Sequence, residues 1–168
     1  ASGLRVVGLD RDAARIARIQ AGECPIEGRE PELPELLADV VQKKALHATT
    51  DPASLATCDV ILVAVETPVD ETNVPRYVAL QGAVETVGKH MKTGALVVIE
   101  STIAPGTMRR LVIPTLERVS GKKFNEDFFV GHCPERVMPG RLLRNLREMS
   151  RVCGGSTPEA ASRMVALY

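Results

Sequence analysis

Apolar residues fall into two patterns that alternate along the chain. Short unbroken runs recur at Leu4–Leu9, Val60–Val65, Leu96–Ile99 and Phe128–Gly131. Each is continuous rather than alternating, as expected for strands buried on both faces of a parallel sheet. Weaker runs at Leu46–Thr49 and Arg151–Cys153 predict two further strands. Between the runs, apolar residues recur at helical spacing. Ala13–Ala21 places Ile16 and Ile19 on one face and stops at Gly22. Leu33–Leu46 carries Leu33, Leu36, Leu37, Val40 and Val41, and Val78–Met91 carries Val78, Ala83, Val84, Val87 and Met91. A helix over Met108–Val119 follows the turn Pro105-Gly106-Thr107, with Pro114 expected to bend it. Thr157-Pro158-Glu159 opens a last helix with a capping threonine and a proline at the first helical position. Strands alternating with helices predict βαβ units in an α/β fold with a doubly wound, mostly parallel sheet. The irregular loop Pro68–Pro75 follows the carboxyl end of a strand, where ligands bind in such sheets.

Length and composition narrow the class. At 168 residues the chain fits one domain, two at most, and a domain of that size buries roughly 70% of the surface its unfolded chain exposes. Lys plus Arg equals Asp plus Glu at 21 each, so no net charge draws the chain to nucleic acid or to an anionic membrane. Aromatic residues are 3% with no Trp, which leaves no platform for stacking bases. The longest apolar run, Val60–Val65, is far short of the roughly 20 residues a membrane span needs. The opening directly into Leu4-Arg5-Val6-Val7, without a charged leader and a long apolar stretch, leads to the expectation of no signal peptide. Cys24, Cys58, Cys133 and Cys153 are scattered without a Cys-x-x-Cys pair, so a reduced, cytoplasmic setting is expected, with Cys58 and Cys153 as small core residues.

Three places can carry chemistry. Asp10 closes the first apolar run; in a dinucleotide-binding fold an acid there binds the adenosine ribose hydroxyls, and the other reading is a cap for the next helix. The Gly-rich turn that should lie about 20 residues upstream is not in the sequence. Glu100 to Thr107 runs from a strand through Ser101 and Thr102 into a Pro-Gly turn. It brings hydroxyls and free backbone amides to the ligand edge to hold water or phosphate, unless it is a capping turn without a ligand. His132 to Arg141 again follows a strand: Glu135 beside Arg136 suits acid–base work next to an anionic substrate. His132 and Cys133 point to opposite faces, so a shared metal site is not expected and both read as structural. His47 and His90 read as surface or core positions, and no Ser/His/Asp or Cys/His nucleophile follows from spacing.

These pieces, in their order, resemble the N-terminal domain of the UDP-glucose/GDP-mannose dehydrogenase family. The resemblance is carried by Val7-Gly8-Leu9-Asp10, Gly22-Glu23-Cys24-Pro25-Ile26, Ala48-Thr49-Thr50-Asp51, Val65-Glu66-Thr67-Pro68-Val69-Asp70, Glu100-Ser101-Thr102-Ile103-Ala104-Pro105-Gly106-Thr107, Pro134-Glu135-Arg136 and Val152-Cys153-Gly154-Gly155. Together they span nearly the whole chain. The stretch Pro134 to Arg141 is most similar to the UDP-N-acetyl-D-mannosamine dehydrogenase branch, because UDP-glucose enzymes usually carry a second glutamate where Pro139 stands.

The resemblance implies a Rossmann-like sheet, NAD as cofactor, no metal, and oxidation of a sugar C6 alcohol to a carboxylate by two NAD molecules in succession. It implies that Asp10 binds the adenosine ribose with Arg15 nearby. Arg11 would stack on the adenine, or join Arg15 in accepting a 2′-phosphate. Thr67 and Thr102 would contact the nicotinamide side, Thr102 also placing a catalytic water. Glu135 would activate or orient the water that hydrolyses a thioester, and Glu135, Arg136 and the backbone through Gly140 would face the sugar nucleotide. The family's first strand, Gly-x-Gly-x-x-Gly turn and following helix have no counterpart here, so the sheet is expected to be truncated, with two exposed strand edges that favour association. The central helix, the UDP-sugar domain and the catalytic Cys, Lys and Asn also have none, and no cysteine here matches the nucleophile. Residues 1–168 are therefore expected to be one NAD-binding domain fragment, inactive alone, of an enzyme that is a homodimer or larger. Arg76 stands where the family commonly has an acid. UDP-glucose or GDP-mannose as substrate, and a non-catalytic α/β scaffold, are the alternative readings.

Overall fold

A computed structural model describes residues 3–168; Ala1 and Ser2 lie outside the described residues. The elements are β1 (Val6–Leu9), α1 (Ala13–Gln20), α2 (Leu33–Gln42), β2 (Leu46–Thr49), β3 (Val60–Val63), α3 (Val78–His90), β4 (Leu96–Ile99), α4 (Ile113–Ser120), β5 (Phe129–His132), α5 (Leu142–Glu148), β6 (Gly154–Gly155) and α6 (Pro158–Leu167). Contacts divide the chain into two compact units, Ala1–Ser54 with Arg136–Ser150, and Leu55–Glu135 with Arg151–Tyr168.

The first unit holds a parallel pair, β1 on β2, in register from Val6 opposite Leu46 to Leu9 opposite Thr49. Asp12 sits in extended backbone before α1 and accepts the N–H groups of Ala14 and Arg15, which the first helical turn leaves unpaired. Gly22 ends this segment at φ +77, and Ala38 Cα lies 3.4 Å from where its Cβ would stand, so α1 and α2 approach closely there. Helix α2 stops at Gln42 rather than running on to Leu46. Lys44 turns left-handed at φ 56, which frees Leu46 to begin β2. Ile16 and Ala48 are the buried apolar residues of this unit, and Val6 remains half exposed because β1 has only β2 as a described partner.

The second unit holds the sheet β3-β4-β5-β6, parallel except for β6. β4 fulfils the expectation of a strand buried on both faces: Leu96, Val97, Val98 and Ile99 are all fully buried. Leu80, Val84 and Val87 line the buried face of α3, which packs against α4 and its Leu116. Ala160 and Met164 of α6 join Leu96, Val98 and Cys133 in one cluster, with Cys153 beside it. Leu62 of β3 stays 46% exposed, since β3 pairs along one edge only among the described residues. No disulfide joins the cysteines.

Two expected elements are displaced. The strand predicted at Arg151–Cys153 forms instead at Gly154 and Gly155, antiparallel to β5. The glycines explain the shift. A Cβ on Gly155 would lie 2.3 Å from the backbone N of Ala161, and one on Gly131 2.1 Å from Met164 Sδ, so α6 lies against a surface without side chains. The predicted bend at Pro114 becomes a π-helical turn over Met108–Val112, where Ile113 N–H reaches back five residues to Met108 C=O. That shift lets Pro114 enter the first turn of α4, where its missing N–H costs nothing. Thr157 caps α6 as expected, accepting the Ala160 N–H at 3.1 Å.

Two glycine substitutions have opposite expected outcomes. Gly155→Ala drives a Cβ into rigid helix backbone and lowers stability by about 2–3 kcal/mol. Gly82→Ala, inside α3 with open space around it, raises stability by about 0.5–1 kcal/mol. Urea midpoints of the two variants check both signs.

Candidate functional site

In the first unit, Asp10 follows β1, and its N–H extends the ladder to Thr49 C=O at 3.3 Å. Its carboxylate accepts the Asp12 N–H at 3.0 Å and Arg15 Nη1 at 2.9 Å. The backbone N–H of Asp12 is the main cause of a carboxyl pKa below its ordinary value; partial burial opposes this, and Arg15 adds to it. The capping alternative for Asp10 is thereby overturned: the cap of α1 is Asp12, two residues on. Asp10 keeps 30% of its side chain open at the carboxyl end of the strand, and Arg11 beside it is exposed.

Arg136 and Gly140 lie in the same unit. Arg136 donates to Ser150 C=O at 3.3 Å. Gly140, at φ +81, gives its N–H to the Glu30 carboxylate, which also accepts the Leu142 N–H at 3.0 Å. Glu30 thus holds the amides that lead into α5. Sequence reasoning missed Glu30, because its partners lie more than a hundred residues away.

In the second unit, the strand ends are stitched by hydroxyls. Ser101, buried, accepts the Val65 N–H at 3.0 Å and donates to Val65 C=O at 2.6 Å. It fastens the continuation of β3 to that of β4 and is committed to the backbone, not to water or phosphate. Thr67 Oγ1 donates to Thr102 C=O at 2.7 Å, so the two threonines are brought together, and Thr102 is exposed. The Ala104 N–H, one of the amides expected to be free, donates to the Tyr77 hydroxyl at 2.8 Å; Thr107 Oγ1 lies 3.2 Å from the same oxygen.

Glu135 follows β5, with its N–H on Glu100 C=O at 3.0 Å. The guanidinium that meets its carboxylate belongs to Arg151, at 2.9 Å. The β5–β6 register accounts for the pair. Gly131 faces Gly155 and His132 faces Gly154, so the same antiparallel count carried outward sets residue 135 opposite residue 151. Arg151 also lies 3.7 Å from Glu100, 3.8 Å from Cys133 Sγ and 4.9 Å from the centre of the Tyr168 ring. Tyr168 donates to Glu100 at 2.5 Å; burial first, then this carboxylate, push the phenol pKa up. His132 Nε2 lies 3.3 Å from Ser101 C=O, and Cys133 is fully buried. Among the described residues, no group of three or more His, Cys, Asp and Glu is arranged to hold a metal.

The loop after Thr67 is organised by Asp70. Oδ1 accepts the Thr72 N–H, the Thr72 hydroxyl and the Val74 N–H, while Oδ2 pairs with Arg76 at 3.1 Å. Arg76, at a position where the family commonly has an acid, therefore braces the loop's own carboxylate.

Parallel strands alternating with helices, with an acidic residue at the carboxyl end of β1, are features of the dinucleotide-binding class of α/β domain. The comparisons specify it. The family model described as "UDP-glucose/GDP-mannose dehydrogenase family, NAD binding domain" matches residues 1–168, and the chain belongs to that family. It is 37% identical over 163 residues to a UDP-N-acetyl-D-glucosamine 6-dehydrogenase of Pseudomonas aeruginosa, covering 97% of this chain and 37% of the relative. It is 38% identical to a UDP-N-acetyl-D-mannosamine dehydrogenase of Pyrococcus horikoshii, covering 99% of this chain and 39% of that one. The crystal structure of an NDP-N-acetyl-D-galactosaminuronic acid dehydrogenase from Methanosarcina mazei superposes with a TM-score of 0.92 at 39% identity, over 98% of this chain and 36% of the other. The chain thus spans well under half the length of these relatives.

NAD is the cofactor of this domain. Asp10 has the chemistry such a cofactor's ribose calls for: a partly open carboxylate, kept ionised by a backbone N–H and an arginine, of the kind that can accept vicinal hydroxyls.

The Asp70 loop carries a pH prediction. The Val74 N–H and the Thr72 hydroxyl are the main causes that hold its carboxyl below the ordinary 3.8. A lowered pKa means that its contribution to loop order is full above about 3.8 and is lost as the pH falls through the folded value. Limited proteolysis within residues 68–76 should therefore be slow down to about pH 4 and accelerate below it, whereas Asp70→Ala is cut rapidly at every pH.

Proposed function

We propose that these 168 residues are the NAD-binding part of a cytoplasmic nucleotide-sugar 6-dehydrogenase that oxidises UDP-N-acetyl-D-mannosamine to UDP-N-acetyl-D-mannosaminuronate for polysaccharide synthesis. The observation that carries the reading is Glu135, held as a fixed carboxylate at the carboxyl end of the parallel strands within the matched family. Relatives named for 2-acetamido sugars support that substrate class, and Pro139, where UDP-glucose enzymes usually place a glutamate, favours it over UDP-glucose. The full-length enzyme is taken to be a homodimer or larger assembly.

In this reading the hydroxymethyl carbon loses four electrons: RCH2OH + 2 NAD⁺ + H2O → RCOO⁻ + 2 NADH + 3 H⁺. NAD supplies the hydride acceptor for both oxidations. Asp10 anchors the adenosine ribose, with Arg15 fixing the carboxylate and Arg11 lying against the adenine. Thr67 and Thr102 orient the nicotinamide side, and Thr102 also positions a water. Arg136 and the backbone to Gly140 face the sugar nucleotide. The second oxidation leaves a thioester on a cysteine outside these 168 residues. In its hydrolysis the water oxygen bonds to the carbonyl carbon as the carbon–sulfur bond breaks. Glu135 takes one water proton and passes it to the departing thiolate, and the product acid releases the other to solvent.

Full-length enzyme incubated in parallel with the UDP-linked N-acetylmannosamine, N-acetylglucosamine and glucose, and with GDP-mannose, is expected to yield two NADH per UDP-N-acetyl-D-mannosamine and to turn the others over slowly. Preference for another of these sugars refutes the substrate, and no turnover of any favours the scaffold reading. Asp10→Ala is expected to raise KM for NAD tenfold or more, the loss of charge-assisted hydrogen bonds worth about 1.5–3 kcal/mol; titrating NAD at saturating sugar checks it.

A further inference from the structure

Arg151 has no role in the proposed reaction, yet it lies between Glu135 and Glu100 in the second unit. Its side chain is 17% exposed and reaches carboxylates from two strand ends, Glu100 after β4 and Glu135 after β5. Two further contacts fix the guanidinium: the Tyr168 ring 4.9 Å from its centre, and Cys133 Sγ at 3.8 Å. Burial opposes its charge, but the contacts with Cys133 and Glu135 outweigh burial and raise its pKa. Glu100 is itself occupied, because the Tyr168 hydroxyl donates to it at 2.5 Å. The stronger contact of Arg151 is therefore the one at 2.9 Å, with Glu135. The register points the same way: the ladder itself ends at His132 and Gly154, and its antiparallel count continued outward leads to residues 135 and 151.

We infer that Arg151 is a positioning residue: it sets the direction of the Glu135 carboxylate, while Glu100 and Tyr168 hold the guanidinium in place. This rests on the proposed role of Glu135 in thioester hydrolysis. Without this contact the chain still folds and still allows both oxidations, but the carboxylate is no longer aimed by Arg151 at the water. Misplacement by about 1 Å is enough to slow such a step up to about a hundredfold. Lysine at 151 keeps the charge but has no planar fork to hold two carboxylates, so it restores part of the effect.

Single-turnover assays of the full-length enzyme, followed by NADH absorbance and by intact-mass detection of acyl-enzyme in acid-quenched samples, test this. For Arg151→Met, both NADH-forming steps should stay within about twofold of the unaltered enzyme. Product release should slow tenfold or more, with acyl-enzyme accumulating. Glu135→Gln should stall at the same step, and Arg151→Lys should fall between. Arg151→Met that hydrolyses at the unaltered rate, or that slows oxidation and hydrolysis alike, overturns the inference. Should Arg151→Met not fold, Arg151→Lys decides: slowing confined to hydrolysis supports the role, and uniform slowing or none overturns it. If Glu135→Gln itself hydrolyses normally, the reading of Glu135 fails and the role of Arg151 falls with it, an outcome separate from failure of Arg151 alone.

Discussion

Leu96 to Ile99 are cut off from water on both faces, yet each carries a peptide N–H and C=O that must be paired. Neighbouring strands on both sides can supply them, and the parallel β3 and β5 do so in continuous register. The bonding continues past the assigned strands: Glu100 N–H reaches Val63 C=O, and Cys133 N–H reaches Ile99 C=O. The residues that leave β4 are consequently as fixed as those within it. Ser101 can lock Val65, Thr102 can receive Thr67, and Glu100 can receive the Glu135 N–H, because none of these backbones is free to drift.

A strand end of this kind converts backbone rigidity into side-chain placement. Glu135 and Glu100 come from different strands, and an arginine between two carboxylates offsets a repulsion that partial desolvation would otherwise enlarge. Ser101 plays the opposite part. With its hydroxyl used in both directions by one residue, it contributes order to the edge and leaves the outward position to Thr102. The π turn before Pro114 is a local adjustment that keeps α4 straight enough for Leu116 to stay buried.

What could be read from the sequence was what short-range physics decides. The unbroken apolar run of β4 and the Thr-Pro start of α6 need only nearby residues to be recognised, and both stand as read. The positions of Thr67, Thr102 and Glu135 at strand ends followed from the strands. The sequence left the cap of α1 open as one reading of Asp10, because two acids, Asp10 and Asp12, lie in reach of one helix start; the backbone makes it Asp12. Arg151, Glu30 and Tyr77 were not legible, because each acts on a partner 16 or more residues away through a register or fold contact that composition does not encode. β6 was placed too early because the space against α6, not apolar content, selects its residues.

The grip of Glu30 on the amides of Gly140 and Leu142 joins residues 110 and 112 positions apart. The first unit is therefore discontinuous in the chain: β1, α1, α2 and β2 leave the ribosome long before the segment that completes them. The second unit is discontinuous as well: Leu55–Glu135 is completed by Arg151–Tyr168, which brings β6 and α6. During synthesis the carboxylate of Glu30 waits for its partners, and neither unit is complete until the chain has passed through the other.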